Sequence, residues 1–504
     1  MSTDIRPKQS TNAISQQVSL TKAGSTFGPE GILAWATGLL AVGACVAPWV
    51  AHGWLFFGLI VAAVSLVTSY DALALWVSRH EGEPILLMPE RGLRGREGQP
   101  LQIPLAITGS ARGKSLGKIV VTIMATTAES ENAIRVEDST RILKLEASTA
   151  SGSDASPSEA TRHIKLWPWA PEIFLLRRGI WPAPRVGTER RSRFGFWRLR
   201  RWFDVPVRLR IEADIREGRR EILRSPIYRS LVASRQSMWV GHGRDFERLR
   251  EYQPGDNYSE IAWKSTARRS APVTRLFQWE QKQEVYFAVD QSRASALPIQ
   301  LSGNAGERMA ADGVSRRMLD LSVETALVCA TVALELGDEF GLVTYADEPK
   351  KWLRTGSGQA HFHRFRDALL DVEPLSTTAD YEALFSEIRV RLRRRAYLVV
   401  LADLTERSIS DSLLRGIGLV RTSHAVLVTS ILPAHAQPAF SAEEKIETDE
   451  DVYAALAGEK ENQRLRGLAK QMRHLNVQLR FVPPSLFLRA AAEGYLTSKR
   501  EQRL

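Results

Sequence analysis

The sequence predicts a chain of three parts: an N-terminal hairpin of two transmembrane helices, a β-sandwich in the middle and a C-terminal α/β domain of the Rossmann type. Three observations support this division. The stretch Gly31–Tyr70 contains no Asp, Glu, Lys or Arg. Short β-rich runs separated by turn residues follow it, and from about Leu231 apolar strands alternate with helical segments. The chain has 504 residues, 44% of them hydrophobic and 25% charged, which excludes a mainly disordered chain and a polytopic transporter.

The uncharged stretch is long enough for two membrane spans in the region 31–77. A helix needs about 20 apolar residues to cross the hydrocarbon core of a bilayer. The predicted spans are Gly31–Val50 and Trp54–Trp76, with Pro48 and His52 in the turn between them. A buried helical hairpin of a soluble protein is the alternative, but so long an uncharged stretch disfavours it.

Basic residues flank the hairpin on both sides, whereas the turn carries no charge. The flanking basic residues are Arg6, Lys8, Lys22, Arg79, Arg91, Arg94 and Arg96. The positive-inside rule therefore predicts that both termini and the soluble domains are cytoplasmic, with residues 1–30 as a tail. Asp71 lies at the edge of the second span. It either has a function, as intramembrane carboxylates often do, or caps the span at the interface.

The middle region, residues 83–215, has the spacing of short strands and turns that is typical of a β-sandwich. Within it, Arg177–Arg201 is rich in arginine interleaved with Trp and Phe. This composition is typical of a nucleic-acid surface and equally of a surface against anionic lipid headgroups. Because a membrane segment lies close by in the chain, we favour lipid contact or interdomain packing, with a solvated β surface as a further alternative.

The C-terminal region, residues 231–504, shows the strand and helix alternation of a parallel sheet covered on both faces. The predicted strands are Glu284–Val289, Phe340–Tyr345, Ala396–Ala402, Ala425–Ile431 and Val477–Val482. The predicted helices are Met318–Leu336, Phe362–Val372, Tyr381–Leu392, Leu465–Leu475 and Pro484–Glu493. Ligands of such sheets bind beyond the carboxyl ends of the strands. Asp290 and Asp403 each follow a predicted strand at this edge.

The loops at these strand ends carry carboxylates and hydroxyls. The candidate ligands are Asp290, Ser292 and Ser295 in one loop, Thr378 in a second and Asp403 in a third. Oxygen ligands of this kind suit Mg²⁺, Mn²⁺ or Ca²⁺ rather than zinc. An open coordination position would accept a carboxylate from a partner. The alternative is that both aspartates only cap the helices that follow their strands.

These residues resemble the metal-ion-dependent adhesion site of von Willebrand factor A domains, which reads Asp-x-Ser-x-Ser with a distant Thr and a distant Asp. The resemblance implies a von Willebrand factor A-like fold and Mg²⁺ or Mn²⁺ as the metal. This sequence departs from the motif at Ala294, which occupies the second serine position, whereas Ser295 stands one residue later.

A longer run of residues is similar to the hallmark of the bacterial domain-of-unknown-function family fifty-eight. It comprises Phe246–Asp256, Ile261, Trp263–Lys264, Ala267–Arg269 and Glu280. The resemblance implies two N-terminal spans in the bacterial inner membrane, a β-rich middle, a von Willebrand factor A-like end and work with a MoxR-type AAA+ ATPase. Ser259 and Ala262 depart from the residues usual in that family.

The hallmark concentrates charges of both signs around a Pro-Gly turn. They either form a salt-bridge network that holds the loop against the sheet or provide a docking surface for a partner. The candidate partner contacts are Arg250, Glu251, Asp256 and Arg268.

Three functions remain open on the sequence. The first is a membrane-anchored, non-enzymatic interaction module that assembles protein complexes or maintains the cell envelope. The second is a metal-dependent hydrolase that uses Asp290 and Asp403. The third is a binder of anionic lipid or nucleic acid through Arg177–Arg201, of which nucleic acid is the less expected partner. No nucleophile–base pair and no phosphate-binding Gly-x-x-x-x-Gly-Lys is present, which disfavours the enzyme.

Overall fold

The structure is a computed structural model of the whole chain, and it divides into two compact units, Met1–Glu212 and Ala213–Leu504. The described residues are 17–19, 21–29, 31–47, 53–77, 84–87, 93–103, 105–109, 117–127, 133–136, 140–145, 165–169, 171–238, 246–253, 258, 261–269, 271–277, 283–299, 316–433, 435–436 and 448–501. The predicted C-terminal region, residues 231–504, lies within the second unit.

The first unit consists of one helix pair and many short strands. Its elements in chain order are β1 (Gln17–Ser19), β2 (Thr21–Pro29), α1 (Gly31–Val46), α2 (Gly53–Val77), β3 (Pro84–Leu87), β4 (Leu93–Arg96), β5 (Pro100–Gln102), β6 (Leu105–Gly109), β7 (Gly117–Met124), β8 (Ile134–Val136), β9 (Thr140–Leu145), β10 (Lys165–Trp169), β11 (Glu172–Leu175), β12 (Gly179–Pro182), β13 (Arg185–Arg191), β14 (Trp197–Asp204) and β15 (Arg208–Glu212).

These strands form four sheets, with the orders β1-β3-β6-β10, β5-β11-β8, β12-β15-β4 and β2-β14-β13-β7-β9. One apolar core contains side chains from several of them, among them Leu105, Val121, Ile173 and Leu209. Burying such side chains together is the main driving force for packing one sheet on another. The middle region is therefore β-rich, and its closure into a sandwich stays a prediction.

Within the predicted N-terminal tail, residues Thr21–Pro29 form strand β2. Strand β2 pairs antiparallel with β14, and Pro29 at its end lies opposite Trp197. The sequence of β2 lacks the apolar alternation that predicts a strand. As an edge strand, β2 is held by backbone hydrogen bonds to β14, which do not require apolar side chains. Residues 1–16 lie outside the described part.

The two predicted spans correspond to helices of different length. Of the described helices, the one at Trp54–Val77 is alone long and apolar enough to cross a membrane. Helix α1 has 16 residues, a rise of about 24 Å, which falls short of the roughly 30 Å of a hydrocarbon core. The predicted turn at Pro48 and His52 lies outside the described residues, so the two-span hairpin stays a prediction.

The second unit is built on a six-stranded sheet. Its elements in chain order are α3 (Arg216–Arg224), α4 (Pro226–Met238), β16 (Phe246–Glu251), α5 (Trp263–Arg269), β17 (Val273–Phe277), β18 (Glu284–Asp290), β19 (Pro298–Ile299), β20 (Arg316–Arg317), α6 (Met318–Glu335), β21 (Glu339–Tyr345), β22 (Pro349–Gly356), α7 (Gln359–Leu370), α8 (Tyr381–Arg391), β23 (Tyr397–Ala402), α9 (Arg407–Val420), β24 (Ala425–Ile431), α10 (Asp449–His474), β25 (Gln478–Val482) and α11 (Phe487–Arg500). Short 3₁₀ turns lie at Arg293–Ala296 and Pro484–Leu486.

The order of the main sheet is β22-β21-β18-β23-β24-β25, and all neighbours are parallel except β21 and β22. This is the doubly wound order, with the reversal between β18 and β23. The predicted α/β domain is confirmed in this form. The all-parallel sheet is not, because the edge strand β22 is antiparallel. Its sequence, Pro-Lys-Lys-Trp-Leu-Arg-Thr-Gly, lacks the continuous apolar run expected of a strand buried on both faces.

Side chains of β18 alternate between two apolar cores, one on each face of the sheet. Val285 and Phe287 pack with α3, α6, α7 and α11 on the first face. Tyr286 and Ala288 pack with α8, α9 and α10 on the second. Two faces covered by helices require strands that are apolar throughout, which is why their runs were visible in the sequence.

Two glycines of α9, one buried and one exposed, allow a test of how closely α9 packs against α8. A Cβ on buried Gly416 would lie 2.7 Å from the backbone oxygen of Tyr381, whereas a Cβ on exposed Gly418 would meet nothing within 4 Å. We expect Gly416→Ala to destabilise the protein by about 1–3 kcal/mol through overpacking. Gly418→Ala, the matched control, is expected to stabilise it by about 0.5–1 kcal/mol because alanine favours the helix. Thermal unfolding of the full-length protein in detergent micelles measures both, and an unchanged melting temperature for Gly416→Ala would contradict the close packing.

Candidate functional site

The reversal of strand order brings two carboxylates to the same edge of the sheet. Asp290 ends β18, and Asp403 directly follows β23. The two strands are neighbours, with Val289 opposite Leu401. The helix after β18 packs on one face and the helix after β23 on the other, so their loops diverge and leave a crevice between them.

Asp290 is 1% exposed and holds its loop through a local turn. Its Oδ1 accepts a hydrogen bond from the backbone N–H of Ser292 at 2.7 Å. Its Oδ2 is buried and has no hydrogen-bond partner among the described residues. Burial raises the pKa of Asp290 from its usual value near 3.8 to about 6, and the charge of nearby Asp403 adds to this while the hydrogen bond from the Ser292 backbone N–H opposes it.

Two further buried oxygens beside Asp290 have no hydrogen-bond partner in the described part of the chain. They are Oγ of Ser292, which is fully buried, and Oε1 of Gln291. A buried oxygen without a partner costs free energy, so such groups usually mark a bound ion or water. Gln291 escaped the sequence analysis because a glutamine between two strand-end residues has no distinctive pattern.

Asp403 is held in the same manner as Asp290. Its Oδ1 accepts from the backbone N–H of Thr405 at 3.0 Å and from the Thr405 hydroxyl. Helix α9 starts after Glu406, which provides no side-chain cap, and Ser292 likewise provides none for the 3₁₀ turn. Each aspartate thus closes a tight turn, and neither caps the element that follows it.

Ser295 and Thr378, the other two candidate ligands, differ in burial and in contacts. The Ser295 hydroxyl is buried and donates to the carbonyl oxygen of Ser292 at 2.7 Å, so it braces the turn. The side chain of Thr378 is exposed. Its loop is nevertheless fixed at this edge, because Leu375 N–H donates to the Gln291 carbonyl at 2.7 Å.

Ion pairs and hydrogen bonds tie four loops together. The backbone N–H of Arg293 donates to the Thr377 carbonyl at 2.8 Å, and the Arg293 guanidinium pairs with Glu406 at 2.9 Å. The Thr377 hydroxyl in turn donates to Asp347 at 3.2 Å. The loops after β18, β21, α7 and β23 therefore form one connected rim.

Two buried tyrosines lie near the aspartates and were not predicted. Tyr345 is the strand partner of Asp290 in β21, and its hydroxyl donates to that of Tyr381 at 3.2 Å. Burial raises the pKa of both hydroxyls well above 10, and each pKa is raised further by the charge of Asp290. The position of Tyr345 at the end of a strand beside β18 was the signal that could have identified it.

The chemistry of the edge fits a hard cation. Among the described residues no cluster of three or more His, Cys, Asp and Glu side chains could hold a metal. The available donors at the edge are instead two carboxylates with hydroxyl and amide oxygens. Asp290, Gln291, Ser292 and Asp403 would hold an ion such as Mg²⁺, for which oxygen ligands are preferred.

The candidate partner contacts lie elsewhere in the unit. Strand β16, with Arg250 and Glu251, pairs with β17, and the whole of β18 separates this pair along the chain from Asp290. Glu251 and Arg268 are exposed, and no salt bridge is found for either within the described residues. Asp256 lies outside the described residues. No hydrogen bond or ion pair between Glu251 or Arg268 and the carboxylate pair is found among the described residues.

Exposed aromatic residues accompany the exposed charges of this segment. Tyr258 is 72% exposed and Trp263 67% exposed. Exposed aromatics are common in protein–protein contacts because they bury a large apolar area at little cost in side-chain entropy.

Residues 248–437 match the protein family described as "Protein of unknown function DUF58". This confirms the predicted resemblance over that segment, which contains Asp290 and Asp403. No relative was found among curated proteins.

Three proteins are among the solved structures that are similar to part of the chain. One is the conserved hypothetical protein BatB from Bacteroides thetaiotaomicron, with TM-score 0.27 and 11% identity, covering 44% of this chain and 98% of that one. Another is an aerotolerance-related membrane protein from Bacteroides fragilis, with TM-score 0.24 and 11% identity over 43% of this chain and 99% of that one. The third is the SpRpn10 VWA domain, with TM-score 0.23 and 13% identity over 43% of this chain and 94% of that one. None of these likenesses, all with TM-scores below 0.5, says what this chain binds.

The raised pKa of Asp290 predicts how stability depends on pH when no cation is present. Folding raises this pKa, so the folded state binds a proton at Asp290 more tightly than the unfolded state does. The resulting stabilisation is complete below about pH 4 and is lost as the pH rises through about 6. Asp290→Asn keeps an acceptor for Ser292 N–H but cannot ionise. In EDTA we expect it to be more stable than wild type at pH 7.5, by up to about 3 kcal/mol for two pKa units, and equally stable near pH 4.

Thermal unfolding of the full-length protein across this pH range measures the difference. Asp411→Asn, at an exposed position of α9, is the control and is expected to follow wild type at every pH. A constant offset of Asp290→Asn at all pH values would show that the carboxylate is not destabilised by burial.

Proposed function

We propose that this chain, which carries a DUF58 region at residues 248–437, is a membrane-anchored module that binds a partner protein through a cation at the Asp290–Asp403 edge. The observation that carries the proposal is the set of buried oxygens without partners at this edge, Asp290 Oδ2, Ser292 Oγ and Gln291 Oε1. A bound cation would interact with these oxygens in place of the missing hydrogen-bond donors. An open coordination position then accepts a carboxylate of the partner.

Ala294 sets the strength expected of the cation site. A serine there would offer one more hydroxyl at the loop, and the alanine leaves that position without a donor. Fewer protein ligands weaken the site and leave more positions for water or for a partner's carboxylate. Binding of the ion and of the partner would therefore be coupled.

We further propose that the partner is a MoxR-type AAA+ ATPase. The support is the resemblance of residues 246–280 to the family hallmark, together with the exposed charges and aromatics of that segment. Arg250, Glu251, Asp256 and Arg268 are the candidate contacts. They would form a contact region of their own, since they belong to a different segment of the chain from the carboxylate pair.

The proposed location is the bacterial inner membrane, with two spans and with the soluble parts in the cytoplasm. The support is the apolar helix α2, whose exposed side chains include Leu55, Phe56 and Leu59, and the basic residues on both flanks of the hairpin. Side chains of this size exposed along a whole helix are costly in water and favourable in lipid.

A metal-dependent hydrolase at Asp290 and Asp403 is the alternative. The carboxylate pair favours it, since a bound cation would polarise a phosphoryl oxygen. The sequence offers no nucleophile–base pair and no phosphate-binding Gly-x-x-x-x-Gly-Lys, which is why the binding function is preferred. Magnesium-dependent turnover of a phosphate ester that is lost in Asp403→Ala would favour the hydrolase.

Reporter fusions test the two-span topology. We expect a periplasmic signal from a reporter inserted at His52 and a cytoplasmic signal from one at the C-terminus, because the turn carries no basic residue. Fusion at Gly358, in the second unit, is a control that is expected to match the C-terminus. Cytoplasmic signals from all three positions would show that the hairpin does not cross.

Retention of the ATPase by the full-length protein in detergent tests the binding function. We expect retention in Mg²⁺ and a loss of about tenfold or more in EDTA or in Asp403→Ala, because the ion and the partner share the site. Ala294→Ser is expected to lower the Mg²⁺ concentration that gives half-maximal retention.

Asp411→Ala, which removes an exposed carboxylate from α9 away from the loop, is the matched control and is expected to retain the ATPase like wild type. Equal retention in Mg²⁺ and EDTA would exclude the carboxylate edge as the binding site. Absence of retention under all conditions would exclude the ATPase as the partner.

A further inference from the structure

The tip of the β13–β14 hairpin is a tight turn within the arginine-rich segment. Ser192 N–H donates to the Trp197 carbonyl at 2.9 Å, and Gly195 N–H donates to the Ser192 carbonyl at 3.2 Å. Gly195 has a φ of 79°, which favours glycine. The Ser192 hydroxyl also accepts from the Trp197 N–H at 3.0 Å. The turn is therefore a fixed structure with Arg193 and Phe194 at its apex.

Two hydrogen bonds fix this turn to the apolar helix α2. Asp71 has no exposed surface, and its Oδ1 accepts from the backbone N–H of Phe194 at 3.1 Å. The indole N–H of Trp197 donates to the carbonyl oxygen of Thr68 at 2.9 Å. The turn thus lies beside the last turns of the helix, at the level of Thr68 to Asp71. This also accounts for the carboxylate in the apolar segment, since Asp71 binds the turn.

The side chains around this contact have the composition of a membrane interface. On α2, Tyr70 is 62% exposed and Trp76 is 55% exposed. Phe194, at the apex, is 50% exposed, and the ring of Phe27 stacks on Trp197 at 5.1 Å. Aromatic rings are enriched at the level of the lipid headgroups, where one end meets hydrocarbon and the other meets water.

Arg193 is the exposed cation of this turn. It makes no salt bridge within the described residues, whereas Arg198 and Arg200 on the adjoining strand pair with Glu189. A guanidinium next to an aromatic cluster at headgroup level matches a phosphate group in charge and in hydrogen-bond geometry.

We propose that the turn Ser192–Trp197 is a binding site for the phosphate of an anionic phospholipid headgroup, with Arg193 as its ligand. The site rests on the proposed membrane insertion of α2. Lipid is favoured over nucleic acid as the occupant because the exposed surface continues from Arg193 onto the apolar side chains of α2, which nucleic acid has no means to cover. The hydrogen bonds of Asp71 and Thr68 fix the turn beside the C-terminal part of α2, from which the long Arg193 side chain would extend to the phosphates.

Native mass spectrometry of the full-length protein in detergent micelles, titrated with phosphatidylglycerol or phosphatidylcholine, tests the proposal. We expect phosphatidylglycerol to be retained more strongly than phosphatidylcholine, and Arg193→Gln to weaken its retention about fivefold, which corresponds to roughly 1 kcal/mol for one basic side chain near an anionic surface. Arg193→Lys is expected to keep most of the retention.

Arg208→Gln is the matched control, since Arg208 is an exposed arginine on another sheet and its loss changes the net charge equally. It is expected to retain phosphatidylglycerol like wild type. Equal losses in Arg193→Gln and Arg208→Gln, or equal retention of both lipids, would overturn the site. Arg193-dependent binding of a short DNA duplex would assign the turn to another ligand and would also overturn it.

Alkaline carbonate extraction of membranes separates this proposal from that of membrane insertion. Arg193→Gln is expected to stay in the membrane fraction like wild type while it loses selectivity for the anionic lipid. Release of the wild-type protein by carbonate would overturn membrane insertion itself and with it the site on the turn.

Discussion

The reversal of strand order between β18 and β23 is the constraint on which the C-terminal unit depends. The chain leaves β18 toward a helix on one face of the sheet and leaves β23 toward a helix on the other. Two neighbouring strands therefore end in loops that leave toward opposite faces, joined at the rim by the Arg293–Glu406 ion pair. Asp290 and Asp403 lie between these loops, beside buried oxygens without a hydrogen-bond partner among the described residues. The topology of the sheet thus creates the polar crevice before any particular side chain is considered.

The sequence predicted the parts of this unit that are governed by burial. Strands such as β23, buried along its whole length, must be apolar on both faces, and that produces a recognisable run. Asp290 and Asp403 were predicted for the same reason, since a carboxylate directly after such a run lies at the edge of the sheet. The elements that were missed depend on other forces. Strand β22 is an edge strand with polar side chains, and β2 joins its sheet through backbone hydrogen bonds.

The candidate site was predicted only in part because a motif records ligands by type and spacing. Spacing suggested Ser295 and Thr378, but the Ser295 hydroxyl braces the turn and the Thr378 side chain is exposed. Gln291 and Tyr345 reach the site through the fold, one by burial of its amide and the other by its register opposite Asp290. Burial and register arise from long-range packing, and no local pattern encodes them.

In the chain, the two apolar helices lie between two strands, β2 and β14, that pair with each other in one sheet. Strand β2 precedes α1, yet its partner β14 is made only after both helices and most of the middle strands have been synthesised. The edge of this sheet stays open during that interval, and the pairing of β2 with β14 is among the contacts of greatest sequence separation in the unit, which form slowly. Closure of the sheet therefore comes late in biogenesis, after the helices have left the ribosome. On the proposed two-span topology, a helix pair in the wrong orientation would keep β2 away from β14, so completion of the sheet would act as a checkpoint on insertion.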